Sequence, residues 1–286
     1  MRCMRGGLSV LSVGLVIVLG IVLNGPMARA QAPSIPYDDF SGTYINPDLW
    51  VLELEQQQVY EVSRGLSEGQ LVKSLLVYGK TKVSEGRMGN SSLFRFTDDP
   101  TVGPILAVQV DATMLRYDLQ GCDTAGSEPS KALIGLISTL RDINKLNSED
   151  QTGDTQALLR IFRLSNSSAD DAALLAVEGA VMRCLNTDCS IKDEQIVSLG
   201  AATLGTLNTY ALMWDTSLNQ VLFSQDGVSQ GIPYMPLTAI PPSVVSPQYT
   251  TFLITRGEAA NCTIPPDGLR PFAFVEAAYD NVLITR

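Results

Sequence analysis

Apolar and polar residues alternate with period two along much of this chain, and the clearest stretch runs from Gly200 to Gly227. Tyr210, Leu212 and Trp214 alternate with Ala211, Met213 and Asp215, the pattern of a strand with two unlike faces. Asp215 to Asn219 reads as a turn, because Asp, Ser and Asn side chains hydrogen-bond their own local backbone. Val221 to Phe223 is a second short strand, and Gln225-Asp226-Gly227 a second turn. A hairpin of this kind implies an antiparallel β protein.

The same reading extends in both directions. Asp38 to Phe40 predicts a first short strand, and Trp50, Leu52 and Leu54 alternate with Val51, Glu53 and Glu55 in a second. Further strands are predicted at Val59 to Ser63, Gln70 to Tyr78, Leu93 to Phe96 and Pro104 to Leu119. Ala132 to Arg141 has a composition that suits a helix, but it is short and lies among strands, so it is read as a strand. Gln156 to Leu164, Ala172 to Cys184 and Cys189 to Leu199 continue the series, with Gly179 expected at a bulge. Pro233 to Pro247 carries five prolines and is read as an exposed loop. Tyr249 to Arg256 and Phe272 to Thr285 close the chain. Short strands with frequent turns and no dividing linker predict one β-sandwich domain over residues 31–286.

Composition changes this picture at the N-terminus. Arg2 and Arg5 precede a nearly unbroken apolar run from Leu8 to Leu23, and Ala28-Arg29-Ala30 offers small residues where a signal peptidase reads. Residues 1–30 are therefore read as a secretory signal peptide, and no membrane insertion is expected after its cleavage. Its removal takes three arginines from the 20 basic residues and none of the 30 acidic ones, leaving a formal charge of −13. That charge disfavours nucleic acid and anionic membrane surfaces as partners. The destination is the bacterial periplasm or the extracellular space.

Four cysteines remain in the mature chain. Cys184 and Cys189 flank an apparent hairpin tip and can face each other, which leaves Cys122 for Cys262. A zinc site is the competing reading, but the paired Cys-x-x-Cys spacings are absent. There is no histidine. Ser-His-Asp triads, Cys-His pairs and His-ligated metals are thereby excluded. Carboxylates, Lys, Tyr or a Ser-Lys pair are what remain for catalysis. No nucleotide cofactor is expected.

Asp38-Asp39-Phe40-Ser41-Gly42, Trp50 after a short turn, and Tyr279-Asp280-Asn281-Val282 at the end resemble the concanavalin A-like lectin and glucanase superfamily. The long segment 104–119, the Cys-x4-Cys hairpin, and Leu212 to Asp215 followed by Phe223 to Gly227 resemble it too. The likeness spans residues 37–286 and is nearest to secreted bacterial members without assigned activity. It implies an all-β fold, a jelly-roll sandwich of two antiparallel sheets, and often a carbohydrate-binding face. The Glu-x-Asp-x-Glu segment of the laminarinase-like members, with or without one inserted residue, is absent.

Candidate chemistry is sparse. Glu53 and Glu55 share one strand face, ~6–7 Å apart along the strand, within the separation that two glycosidase carboxylates need. They are the candidate catalytic pair, set against the simpler reading of a solvated strand face. If the first and last strands are neighbours, Asp38 or Asp39 approaches Asp280, and related sandwiches imply a structural calcium where the ends meet. Tyr234 and Tyr249 bracket the proline-rich loop and are the candidate ligand-binding aromatics, whereas Trp50 and Trp214 are expected in the core. Asn90, Asn166 and Asn261 begin N-glycosylation triplets, to which no role is assigned. The first functional expectation is a secreted, non-catalytic, lectin-like protein for carbohydrate or extracellular polysaccharide. The alternatives are a glycan-active hydrolase or lyase using carboxylates outside the glucanase motif, and a structural or adhesive envelope module.

Overall fold

Fifteen strands account for most of the described chain. The structure, a computed structural model, describes residues 34–53, 59–79, 88–96, 104–122, 127–141, 150–235, 248–260, 262 and 270–286. The expected signal peptide, Glu55 and most of the proline-rich loop lie outside the described residues. The strands are β1 (Ile35–Asp38), β2 (Trp50–Glu53), β3 (Val59–Ser67), β4 (Gln70–Tyr78), β5 (Met88–Phe96), β6 (Ala107–Gln120), β7 (Lys131–Arg141) and β8 (Thr155–Leu164). They continue with β9 (Leu174–Cys184), β10 (Lys192–Thr203), β11 (Asn208–Asp215), β12 (Gln220–Gln225), β13 (Val228–Pro233), β14 (Gln248–Glu258) and β15 (Phe272–Thr285).

Sheet one has the order β13-β12-β11-β6-β15-β4-β3, with β1 also paired to β15; sheet two has the order β10-β9-β8-β7-β14-β5-β2. Neighbours pair antiparallel throughout both sheets. The two sheets face each other across one core, built by alternate residues such as Val108, Val110 and Ala112 of β6 and Ala157, Leu159 and Ile161 of β8. This is a jelly-roll sandwich of two antiparallel sheets. The segment 132–141, ambiguous by composition, is a strand: both its edges carry ladder partners, β8 and β14.

Parity along β15 shows what a bulge does. Ala273, Val275, Ala277 and Tyr279 are buried at odd positions, whereas Val282 and Ile284 are buried at even ones. The register slips between Asp280 and Leu283, where Asn281 has φ 48°. One extra residue turns the following side chains back into the core. The strand after the slip also receives β1, with Ile35 opposite Ile284.

Two local expectations are corrected. The first strand is Ile35–Asp38 and stops before Phe40. There the Asp38 carboxylate accepts the Phe40 N–H (2.8 Å) and the Trp50 indole N–H (2.6 Å), and Phe40 turns to φ 50° to stack on Trp50. Gly179 is not at a bulge. The slip lies on the partner strand, between Ser198 and Gly200. Gly179 instead admits the Phe223 ring from sheet one, which a Cβ would meet at 2.4 Å.

The two expected disulfides are present. Cys122 joins Cys262, 140 residues on, and Cys184 joins Cys189 at the β9–β10 tip. Trp50 and Trp214 lie in the core as expected, 4% and 2% exposed. The Trp214 indole donates to Ser138 Oγ of sheet two at 2.8 Å, so a buried hydrogen bond as well as packing joins the layers.

Candidate functional site on the outer face of sheet two

The middle strand of the site, β8, divides its side chains strictly. Thr155, Ala157, Leu159, Ile161 and Arg163 are buried towards the core side, and Gln156, Leu158, Arg160 and Phe162 take the other face. Cross-strand register then brings their partners together. Arg160 lies opposite Glu178 of β9 and Gly135 of β7; Phe162 lies opposite Ala176 and Leu133. Ile254 of β14 lies beyond Gly135. Leu133 and Ile254, with Ile137 and Phe162 against them, form a small hydrophobic cluster separate from the main core.

Paired charges rim this apolar floor. Arg160 Nε donates to Glu178 Oε2 at 2.9 Å, and another guanidinium nitrogen lies 3.6 Å from Glu194 Oε1 of β10. Lys131 lies 3.9 Å from Glu258, and Arg256 Nε lies 2.9 Å from the same carboxylate. Lys131 and Arg160 also stand 5.5 and 5.4 Å from the Phe162 ring centre, within cation–π range. The result is a depression of about 480 Å³ lined by Lys131, Arg160, Phe162, Glu178 and Glu258 and by Glu128, Leu164 and Ile196. Its charges nearly cancel.

The floor is held from beneath. The Tyr279 hydroxyl of sheet one crosses the core, donates to the Ile254 carbonyl at 2.6 Å, lies 2.9 Å from Thr255 Oγ1 and also bonds the Gly135 backbone. Burial keeps its phenol proton well above the usual tyrosine range. On the core side of β8, Arg163 donates to the carbonyls of Ser168, Asp171 and Leu174 and fastens the β8–β9 connection.

Sequence reading did not find this face. TQALLRIFRL places arginines at 160 and 163, on opposite faces of one strand, so no charged stripe shows. Glu178 is set opposite Arg160 by the length of the β8–β9 connection, and Glu258 reaches Lys131 across 127 residues.

The residues that sequence reading did single out are scattered. Glu53 ends β2, near an edge of sheet two and four strands from β8, and Glu55 lies outside the described residues, so no pair is formed by what is described. Tyr249 is in β14 beside Leu140. Tyr234 is corrected: it is 8% exposed and its ring stands edge-on to Trp214, with centroids 5.1 Å apart, so it offers no free stacking face. The chain ends do meet, through β1 and β15. Yet Asp38 spends both oxygens on Phe40 and Trp50, and among the described residues no group of three or more acidic or cysteine side chains is gathered to hold a metal ion.

Asp280 carries the electrostatic signature of that junction. It lies opposite Asp111 across the β6–β15 ladder. Burial raises its carboxyl above the ordinary range, and Asp111 and Asp39 push it the same way, against a lowering hydrogen bond from the Asn281 N–H. A carboxyl raised in the folded state binds its proton more tightly folded than unfolded. The stability it contributes is full below the unfolded value of ~3.9 and is lost as pH rises through the folded one. Asp280→Asn, in EDTA, is therefore expected to raise the melting temperature at pH 7 by about 2 °C. The gap should close as pH falls below ~4. Melting curves at both pH values check this, and a lowered melting point at pH 7 in EDTA would contradict it.

No family model matches the chain, and no curated protein matches it. Similar solved structures include a Bacillus licheniformis β-glucanase (14% identity, 86% of this chain and 97% of that one, TM-score 0.38). The catalytic domain of an endo-1,3-β-glucanase (laminarinase) from Thermotoga petrophila RKU-1 is 11% identical, with 88% and 99% covered and a TM-score of 0.45. An alginate lyase from Alteromonas sp. 272 is 10% identical, with 88% and 98% covered and a TM-score of 0.39. What defines the architecture is the strand order itself.

Proposed function

We propose that this protein is a secreted, non-catalytic carbohydrate-binding protein whose ligand, a neutral polysaccharide segment, lies on the outer face of sheet two. The observation that carries the reading is β8. Its five outward positions are Gln156, Leu158, Arg160, Phe162 and Leu164, so the strand presents to this face an amide, three apolar groups and one cation, and no carboxylate. Of the acids that line the depression, Glu178 sits against Arg160 and Glu258 against Lys131 and Arg256, and Glu128 lies just ahead of β7. A pyranose has an apolar face and a hydroxyl rim, and an apolar floor inside a rim of paired charges complements both. The near cancellation of charge favours a neutral chain over a polyanion. Two disulfides support export to an oxidising compartment.

Calcium enters the proposal only through Asp39 and Asp280, which feel each other's charge. A bound divalent ion would reverse the sign of the Asp280→Asn effect, so the same variant melted in calcium tests it.

The experiment is a glycan array probed with the exported protein, with the eluates checked for cleaved products. Binding without cleavage is expected, and Phe162→Ala should weaken it about tenfold or more, ~1.4 kcal/mol. Cleavage abolished by Glu178→Gln would replace the lectin-like reading with the hydrolase or lyase. Absence of binding to any glycan would leave the envelope module.

A further inference from the structure

A second cavity, of about 230 Å³, opens on the opposite face of the same strands. It lies where the inner side of sheet two meets the last strand of sheet one. Register builds its polar wall: Thr155 of β8 lies opposite Arg183 of β9, which lies opposite Asp193 of β10. Gln195, two residues along β10, is opposite Val181 and faces the same way. The other wall is Pro233, Tyr234 and Met235, where β13 ends. Strand β10 thus serves two faces: Ile196 lines the outer depression and Glu194 reaches Arg160 on that side, while Asp193 and Gln195 line this one.

The hydrogen-bonding state of the wall is unusual. Thr155 is 1% exposed, and its hydroxyl has no hydrogen-bond partner among the described residues. Buried hydroxyls are nearly always satisfied, so an unpartnered one in the wall of a cavity points to a polar group that reaches it from there. Arg183 and Asp193 are cross-strand neighbours of opposite charge, yet they form no ion pair among the described residues. Arg183 donates instead to the Met235 thioether at 2.9 Å, a weak acceptor that leaves most of its donors free.

We infer that this edge pocket binds a single neutral pyranose, independently of the outer face. Its volume falls below the ~300–1,000 Å³ of drug-sized sites, which suits one ring and not a chain. A carboxylate accepts from two hydroxyls, a guanidinium donates to hydroxyl or ring oxygens, and the Thr155 hydroxyl does either. The opposite charges of Arg183 and Asp193 balance without meeting, so a ligand of net charge would set itself against one of them.

The test is saturation-transfer NMR of the exported protein with methyl glycosides of glucose, galactose, mannose and N-acetylglucosamine, and with glycine as a zwitterionic control. One glycoside is expected to bind at millimolar concentration. Asp193→Asn and Thr155→Val should each weaken it about tenfold or more, while Phe162→Ala leaves it intact. Thr155→Val keeps the side-chain volume and removes an unpartnered hydroxyl, so its melting point should not fall even as binding does. Binding of glycine alone, no binding at all, or unchanged binding in both pocket variants would overturn the inference. Loss of glycoside binding in Phe162→Ala alone would assign the sugar to the outer face and also overturn it. Failure of the glycan array leaves this experiment standing, because the two sites share no residue.

Discussion

Replacing Cys122 and Cys262 together by serine is expected to lower the unfolding free energy by about 5 kcal/mol. The bridge closes a loop of 140 residues, and in the chain-entropy model the unfolded chain loses that much freedom through it. Domains of this kind have a total stability of ~5–15 kcal/mol, so a third or more of it is at stake. The bridge does not have to force the fold into place. Nearby, Ser130 Oγ donates to the Gln120 carbonyl (2.6 Å) and accepts the Ala260 N–H (2.8 Å), so hydrogen bonds already hold both arms together. The gain therefore comes through the unfolded state. Urea denaturation should show a lower midpoint and a steeper slope, because the unbridged chain exposes more surface. The Cys184–Cys189 bridge closes only five residues, and its removal should cost about 2 kcal/mol. A double variant with the midpoint of the wild type would refute the argument for the long loop.

Gly135→Ala is the second large effect, and it acts at the centre of the candidate face. Gly135 has φ 152°, and a Cβ there would stand 2.0 Å from the Leu159 carbonyl oxygen. That oxygen is backbone in the next strand and cannot swing aside. Strand β7 is held on both edges, by β8 and β14, and the Gly135 backbone is also bonded to the Tyr279 hydroxyl beneath. Strain and overpacking together should cost about 3–5 kcal/mol. In a chain of this size that is a fall of about 10 °C in melting temperature. A midpoint within ~2 °C of the wild type would show that the strand can yield. Since Arg160 lies directly opposite Gly135, the same variant should weaken glycan binding more than its distance from any ligand suggests.

How much of this was open to sequence reading differs by element. The hairpin β11–β12 and the strands β4 and β15 were legible, because each has a buried face and turn residues at its ends. The extent of β1 was not, since Asp38 ends it by bonding forward to Phe40 and Trp50. Gly179 was read as a bulge because glycine in a strand signals either a bulge or a close approach, and only the opposing Phe223 tells which. Tyr234 was read as exposed from its place beside prolines, but its ring is used against Trp214.

The candidate sites divide along the same line. Both are made of residues that are unremarkable in sequence: Arg160, Glu178 and Phe162 in one, Thr155, Arg183 and Asp193 in the other. Each group comes from neighbouring strands and acquires its chemistry only in register. By itself the sequence determined the β class, the two disulfide pairs and the exclusion of histidine chemistry. All of these rest on residue type and period-two alternation, which are local. Which side chains stand beside one another was decided by the tertiary structure alone. Register depends on connection lengths and on bulges, and a shift of one residue sends every side chain of a strand to the other face.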